Sequence, residues 1–354
     1  MNTEIIHPHT VRDLPVSPTN ISPVTPPSTI RKIFIGKDGL RAGWSILTFI
    51  SLIAGLLYTA TVIHHILQPP THTHPANTSM SLTFMYMSQS IPLLAALVAA
   101  WIMSRIERRR ISVYGLGDRR KVPHFFAGLF WGVSCLSLLI LGLRQTGLLV
   151  IDSRLLFGSS ILRYGLLWLL GFLLVGLLEE YVTRGYLQYT LTRGLTGFYQ
   201  WAFKSPYSAG LGFWTSAAIF SVLFGLSHGK NAGESPLGLL SAGLIGLVFC
   251  LSLWRTGSLW WAIGFHTSWD WAQSFLYGVA DSGSMVQHHF FATHPVGKPI
   301  LSGGATGPEG SIFIVPAVAL IAIIIILTLR RAFNGYQQLP SAAFNAESGG
   351  TAAL

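Results

Sequence analysis

LLWLLGFLLVGLLEEYVTRG, residues 166–185, decides how this chain is read. An uncharged run, 166–178, leads straight into two adjacent acids, Glu179 and Glu180, and Arg184 follows one helical turn later. An acid near the centre of a membrane-length helix costs about 2.5–3.5 kcal/mol on insertion scales, so such groups are retained mainly for function. Two further apolar segments each deliver a histidine. FWTSAAIFSVLFGLSH ends on His228, and WWAIGFHTSWDWAQSFL contains His266 with Asp270 one turn on. Three acids, two histidines and an arginine within apolar helices point to a buried hydrolytic or metal site.

Composition places the chain in a membrane. Of its 354 residues 51% are hydrophobic and only 10% charged, and the mean hydropathy is +0.52, outside the balance of a soluble domain. About 20 apolar residues are needed to cross a bilayer. Eight segments qualify as predicted spans: 42–66, 84–104, 124–143, 164–190, 211–228, 236–254, 258–277 and 311–329. The expected fold is all-α, a polytopic bundle of about eight transmembrane helices. The first span follows a polar leader and is too long for a signal-peptide core, so no cleavage is expected.

Lys and Arg set the orientation. With the N-terminus cytoplasmic, 18 of the 23 basic residues fall on the cytoplasmic side of these spans, as the positive-inside rule requires. Both termini are then cytoplasmic, and a bacterial cytoplasmic membrane is the expected location. The same asymmetry accounts for the net charge of +10. Membrane lipids, not nucleic acid, are the expected partners of that charge. Cys135 and Cys250 both fall in predicted spans and read as core packing, with no disulfide framework.

The chain divides into a disordered tail over 1–40, a first group of helices with a basic connector over 41–160, and a candidate catalytic core over 161–278. A loop over 279–310, long enough to act as a lid, precedes a last helix at 311–331 and a disordered tail at 332–354. Within the core, Glu180 and Arg184 share a helix face and can pair. Glu179 is rotated by about 100° and looks elsewhere. That leaves one carboxylate held and the other free. His266 and Asp270 likewise share a face, and need partners from other helices. By these boundaries Glu179 and His266 lie toward the cytoplasmic side, with His228 nearer the opposite face. His64, His65, His72, His74, His288, His289 and His294 read as solvated or interfacial. The Trp-rich stretch 254–271 reads as an aromatic belt with helix packing, and Gly238, Ala242, Gly243 and Gly246 as a packing seam.

Glu179-Glu180-x-x-x-Arg184, Phe224-x-x-x-His228 and His266-x-x-x-Asp270 together resemble the three motifs of the CPBP family, the CAAX-processing and bacteriocin-processing intramembrane proteases also called Abi proteins. LFGLSHGKN after the second motif, and the stretch GLIGLVFCLSLWRTGSLWWAIGFHTSWD leading into the third, match as well, so the resemblance covers about 164–275. It implies hydrolysis of peptide bonds in membrane-associated peptides or proteins, prenylated or not. It also implies water activation by Glu179 with His228, and oxyanion stabilisation by His266 and Asp270. Asp stands at 270 where the eukaryotic prenyl-protein proteases have Asn. An Asp donates only when protonated, so Asp270 can instead orient His266.

Other readings compete. Glu179, His228 and His266, with Glu180 or Asp270, form an N/O set that zinc could use, but the HExxH spacing is lacking. A glutamate mechanism without metal is the expectation. A non-enzymatic immunity or regulatory protein should have lost one of these residues, and a proton transporter should spread its acids over more helices.

Overall fold

In the computed structural model, residues 33–36, 39–67 and 79–330 are described. The chain is a helical membrane protein, and among the described residues six helical segments are long and apolar enough to cross a bilayer. They are α1 (Ala42–Leu67), α2 (Leu82–Ile106), α3 (Lys121–Gln145), an unbroken stretch over Ser159–Phe203, α6 (Ser208–Ser227, continued to Lys230 by a tight turn) and α7 (Pro236–Thr256). The other two predicted spans are shorter as helices. The 258–277 segment is a 12-residue helix, α8 (Trp260–Trp271), followed by a π-helical turn at Ala272–Leu276. The last, α9 (Ile314–Thr328), has 15 residues.

The Ser159–Phe203 stretch consists of α4 (Ser159–Glu180), a π-helical turn (Tyr181–Leu187) and α5 (Gln188–Phe203). At about 1.5 Å per residue it is longer than one crossing needs, and the π turn interrupts it immediately after the two glutamates. Such turns concentrate at functional sites. The predicted span ends at residue 190; the helix continues beyond it as α5, with its polar side turned inward. Thr190, Thr192 and Thr196 are buried, and Thr192 bonds the Ser216 hydroxyl on α6 at 2.6 Å, while Phe198, Trp201 and Phe203 face outward. In lipid the hydrophobic effect does not join helices, so polar pairs and close backbone packing must.

Close packing explains how α8 is held. Gly128 and Gly132, one turn apart on α3, lie against the backbone of α8: a Cβ on Gly128 would meet the Trp261 carbonyl, and one on Gly132 the Ser268 hydroxyl and Phe265 carbonyl. Gly264 returns the contact against Phe125, and Gly176 on α4 takes Thr267 Oγ1 at 3.0 Å from where its Cβ would be. The α7–α8 link is equally tight: Gly257, at φ +70°, ends α7 and turns the chain back. Trp261 and Trp269 are buried, and the indoles of Trp260 and Trp271 donate to the carbonyls of Leu116 and Gly165. This part of the predicted aromatic belt is therefore interior packing.

Small β elements decorate the ends. Ile35–Gly36 and Gly39–Leu40 pair as an antiparallel hairpin, so the last residues of the predicted disordered 1–40 tail are ordered. Residues 1–32, 37 and 38 of that tail, and the 332–354 tail, lie outside the described residues. Leu149–Arg154 pairs antiparallel with Phe291–Pro295, and Ser79–Met80 lies parallel to Met285–Val286. The 279–310 segment is thereby stitched to the helix ends beside it.

Replacing Gly132 with valine should lower the thermal stability of the detergent-solubilised protein by roughly 1–3 kcal/mol, the usual range for overpacking. Gly142→Val on the same helix, where a Cβ meets nothing within 4 Å, should leave the melting temperature nearly unchanged. Equal melting curves for the two variants would contradict this account of α8.

Candidate functional site

Glu180 and Arg184 meet as their spacing requires, in full burial. Arg184 Nη1 donates to Glu180 Oε1 at 2.7 Å, with side-chain exposures of 1% and 0%. The guanidinium lies 4.2 Å from the ring centre of Phe224 on α6 and 5.8 Å from that of Phe249 on α7. Truncating one partner of such a pair strands a buried charge, worth about 3–5 kcal/mol. Phe224 belongs to the second sequence motif; Phe249 has no spacing signature.

His266 on α8 completes the cluster. Its Nδ1 is 3.0 Å from Glu180 Oε1. A carboxylate only accepts, so Nδ1 carries the proton and donates. The other ring nitrogen, Nε2, stands 3.4 Å from Asp270 Oδ2 and 3.8 Å from Glu179 Oε2. One oxygen of Glu180 thus receives both Arg184 and His266, and the imidazole is gripped on one edge and presented on the other. Glu179, rotated from Glu180 as predicted, borders a cavity of about 230 Å³. Its Oε2 accepts no hydrogen bond.

His228 lines the same cavity without bonding any of the acids. Its Nδ1 donates to the Phe224 carbonyl at 2.8 Å, and its ring packs 4.8 Å from that of Phe224. The expectation that His228 lies on the opposite face from Glu179 and His266 is therefore corrected. The helix following Glu180 extends further than the predicted span, and α6 runs back along it, bringing its C-terminal end level with the glutamates.

The remainder of the cavity wall comes from residues that motif reading does not reach. Met80, Met85, Phe172 and Val175 supply an apolar side, and Asn231, Asp281, Ser282 and Glu309 a polar one. Glu309 accepts from the Trp269 indole at 2.9 Å and from Ser282 at 3.3 Å. Ser274 donates to Asp281 at 3.4 Å, and Thr306 to the Gly233 carbonyl at 3.0 Å. The predicted 279–310 loop is therefore a roof tied both to α8 and to the turn after His228. The one available signal was that its span carries Asp281 and Glu309, two of the chain's 13 acids. Burial raises the Asp281 carboxyl well above its ordinary range, and Asp270, Glu309 and Glu179 add to the rise against the opposing effect of His266. Glu234, beside the same roof, is raised mainly by burial.

Among the described residues no group of three or more His, Cys, Asp or Glu side chains is arranged to hold a metal ion; Glu179 and His228 of the candidate zinc set share a cavity wall but no bond. Cys135 and Cys250 are buried free thiols. His64 and His65 end α1, His288 stacks on Tyr164 at 4.3 Å, and His294 pairs with Asp152 at 2.8 Å on the surface. His72 and His74 lie outside the described residues.

Residues 161–272 match a family model described as type II CAAX prenyl endopeptidase, Rce1-like. All six candidate residues, Glu179, Glu180, Arg184, His228, His266 and Asp270, fall within the matched stretch. Comparison with curated proteins gives no match, and comparison with solved structures gives none.

Asp281 supplies a pH test. A carboxyl whose folded pKa is raised binds protons more tightly folded than unfolded, so its contribution to stability is complete at low pH and falls as pH rises above the unfolded value. Asp281→Asn should therefore melt a few degrees above the wild type at neutral pH, with the gap closing toward pH 4. A gap that stays constant across that range would contradict the assignment.

Proposed function

We propose, from the match of residues 161–272 to the type II CAAX prenyl endopeptidase, Rce1-like family model, that the protein is an intramembrane endopeptidase in which Glu179 activates the attacking water. The observation that carries this reading is the contrast between the two glutamates. Glu180 is fully buried and its Oε1 is committed to Arg184 and His266, whereas the Glu179 side chain is 31% exposed and borders the cavity with an oxygen that takes no hydrogen bond. A general base needs a free lone pair within reach of its water.

In this reading Glu179 takes one proton from water as the oxygen attacks the scissile carbonyl, and returns it to the amine nitrogen as the C–N bond breaks. His228, on the same cavity wall, assists in holding the water. With Glu180, Asp270 and Glu179 around it, His266 acts as the imidazolium, with a proton on each ring nitrogen. Its Nε2 faces the space beside Glu179 and serves as the donor to the developing oxyanion, where a fixed donor in a water-poor cavity is worth most. Asp270, 3.4 Å from that nitrogen, orients the ring in preference to binding the oxyanion itself. Substrates are peptides or protein segments associated with the membrane, since the apolar side of the cavity is built from α2 and α4.

Glu179→Gln should lower kcat toward a quenched fluorescent peptide by about 10²–10⁴-fold, the usual contribution of a general base, at nearly constant KM. A chelator should leave the wild type active. Full activity in Glu179→Gln would refute the mechanism, and loss of wild-type activity in chelator would replace it with a zinc-dependent one using Glu179, His228 and His266.

A further inference from the structure

Gly246 on α7 groups by sequence with Gly238, Ala242 and Gly243 as a packing seam, but the structure separates their surroundings. Gly243 lies against the Ser221 carbonyl of α6, and Gly225 on α6 faces the Leu239 carbonyl, 2.5 Å from where its Cβ would be. Those are backbone contacts between two helices. Gly246 instead faces a functional group. A Cβ there would stand 2.6 Å from Arg184 Nη2, with Ser221 Oγ at 3.4 Å and Phe224 Cδ1 at 3.6 Å.

We propose that Gly246 is a positioning residue for the hydrolytic site. Its missing side chain is the socket that lets the Arg184 guanidinium lie over Phe224 with Nη1 on Glu180 Oε1, the same oxygen that holds His266 Nδ1. The inference rests on the reading of Glu179, Glu180 and His266 given above. A methyl group at 246 meets the far end of a flexible side chain, not backbone, and its other two contacts are of ordinary length. The guanidinium therefore yields while α6 and α7 keep their places. Glu180 Oε1 then loses one of its two donors, and the carboxylate and imidazole shift together. Alanine is also the better helix former, so the same substitution that disturbs the site does not weaken the helix.

Gly246→Ala should keep or raise the melting temperature while lowering kcat roughly 10- to 100-fold, the scale on which a small misplacement of catalytic groups acts. KM should hold, because Arg184 does not line the cavity. A double-mutant cycle with Arg184→Lys isolates the route. Lysine has no Nη2 for the methyl group to displace, so Gly246→Ala should have little further effect in that background. Equal losses in both backgrounds would overturn the inference, as would unchanged kcat in Gly246→Ala.

A second readout needs no activity. In ¹⁵N-histidine-labelled protein, the Nδ1 resonance of His266, assigned by difference against His266→Gln, should shift in Gly246→Ala. An unmoved resonance overturns the inference whatever the wild type hydrolyses. A shifted resonance in a protein that cleaves nothing would sustain the link from Gly246 to His266 and remove the proteolytic reading instead.

Discussion

A single carboxylate oxygen, Glu180 Oε1, organises this molecule. It accepts from Arg184 and from His266 in a place where neither the acid nor the arginine reaches solvent. Removing two charges from water is expensive, and their attraction repays it only when geometry and extra hydrogen bonds are both good. The rest of the core is arranged to meet those conditions. Phe224 and Phe249 lie beside the guanidinium, α8 brings the imidazole, and the π turn after Glu180 places Arg184 without breaking the helix. A buried ion pair of this kind is weak evidence for stability, and better understood as a fixed point that orients the His266 ring.

That aim depends on backbone approach. α8 is short for a membrane helix and carries both His266 and Asp270. It is clasped from one side by Gly128 and Gly132 of α3 and from the other by Gly176 of α4. Without a hydrophobic force between helices in lipid, such close contacts are what hold an element in place. The site is therefore rigid where it must be, on helices, and its cover is a looped segment tied by Trp269, Ser274 and Thr306.

The two glutamates illustrate how neighbouring residues of one type acquire different chemistry. They sit about 100° apart on the helix, so one turns to the arginine and histidine and the other to the cavity. The first is enclosed with one oxygen committed to two donors, and the second opens on the cavity. The acids of the roof extend the same environment: Asp281 is held protonated more readily first because it is buried and then because Asp270, Glu309 and Glu179 crowd it.

Much of this was legible in the chain as written. Membrane class, an all-helical fold and the pairs Glu180–Arg184 and His266–Asp270 follow from hydropathy and from 3.6-residue periodicity, which are local properties. Periodicity states which residues share a face but not what that face meets. The partnership of His266 with Glu180, separated by 86 positions, and the division of glycines between helix seam and arginine socket were therefore settled only by the fold. Two spans came out shorter than hydropathy suggested, because apolar length marks burial and α8 is buried by protein as much as by lipid. The roof residues left little trace, since a loop acid has no period, and only chain reversal at Gly257 and the ties from α8 bring Asp281 and Glu309 over Glu179.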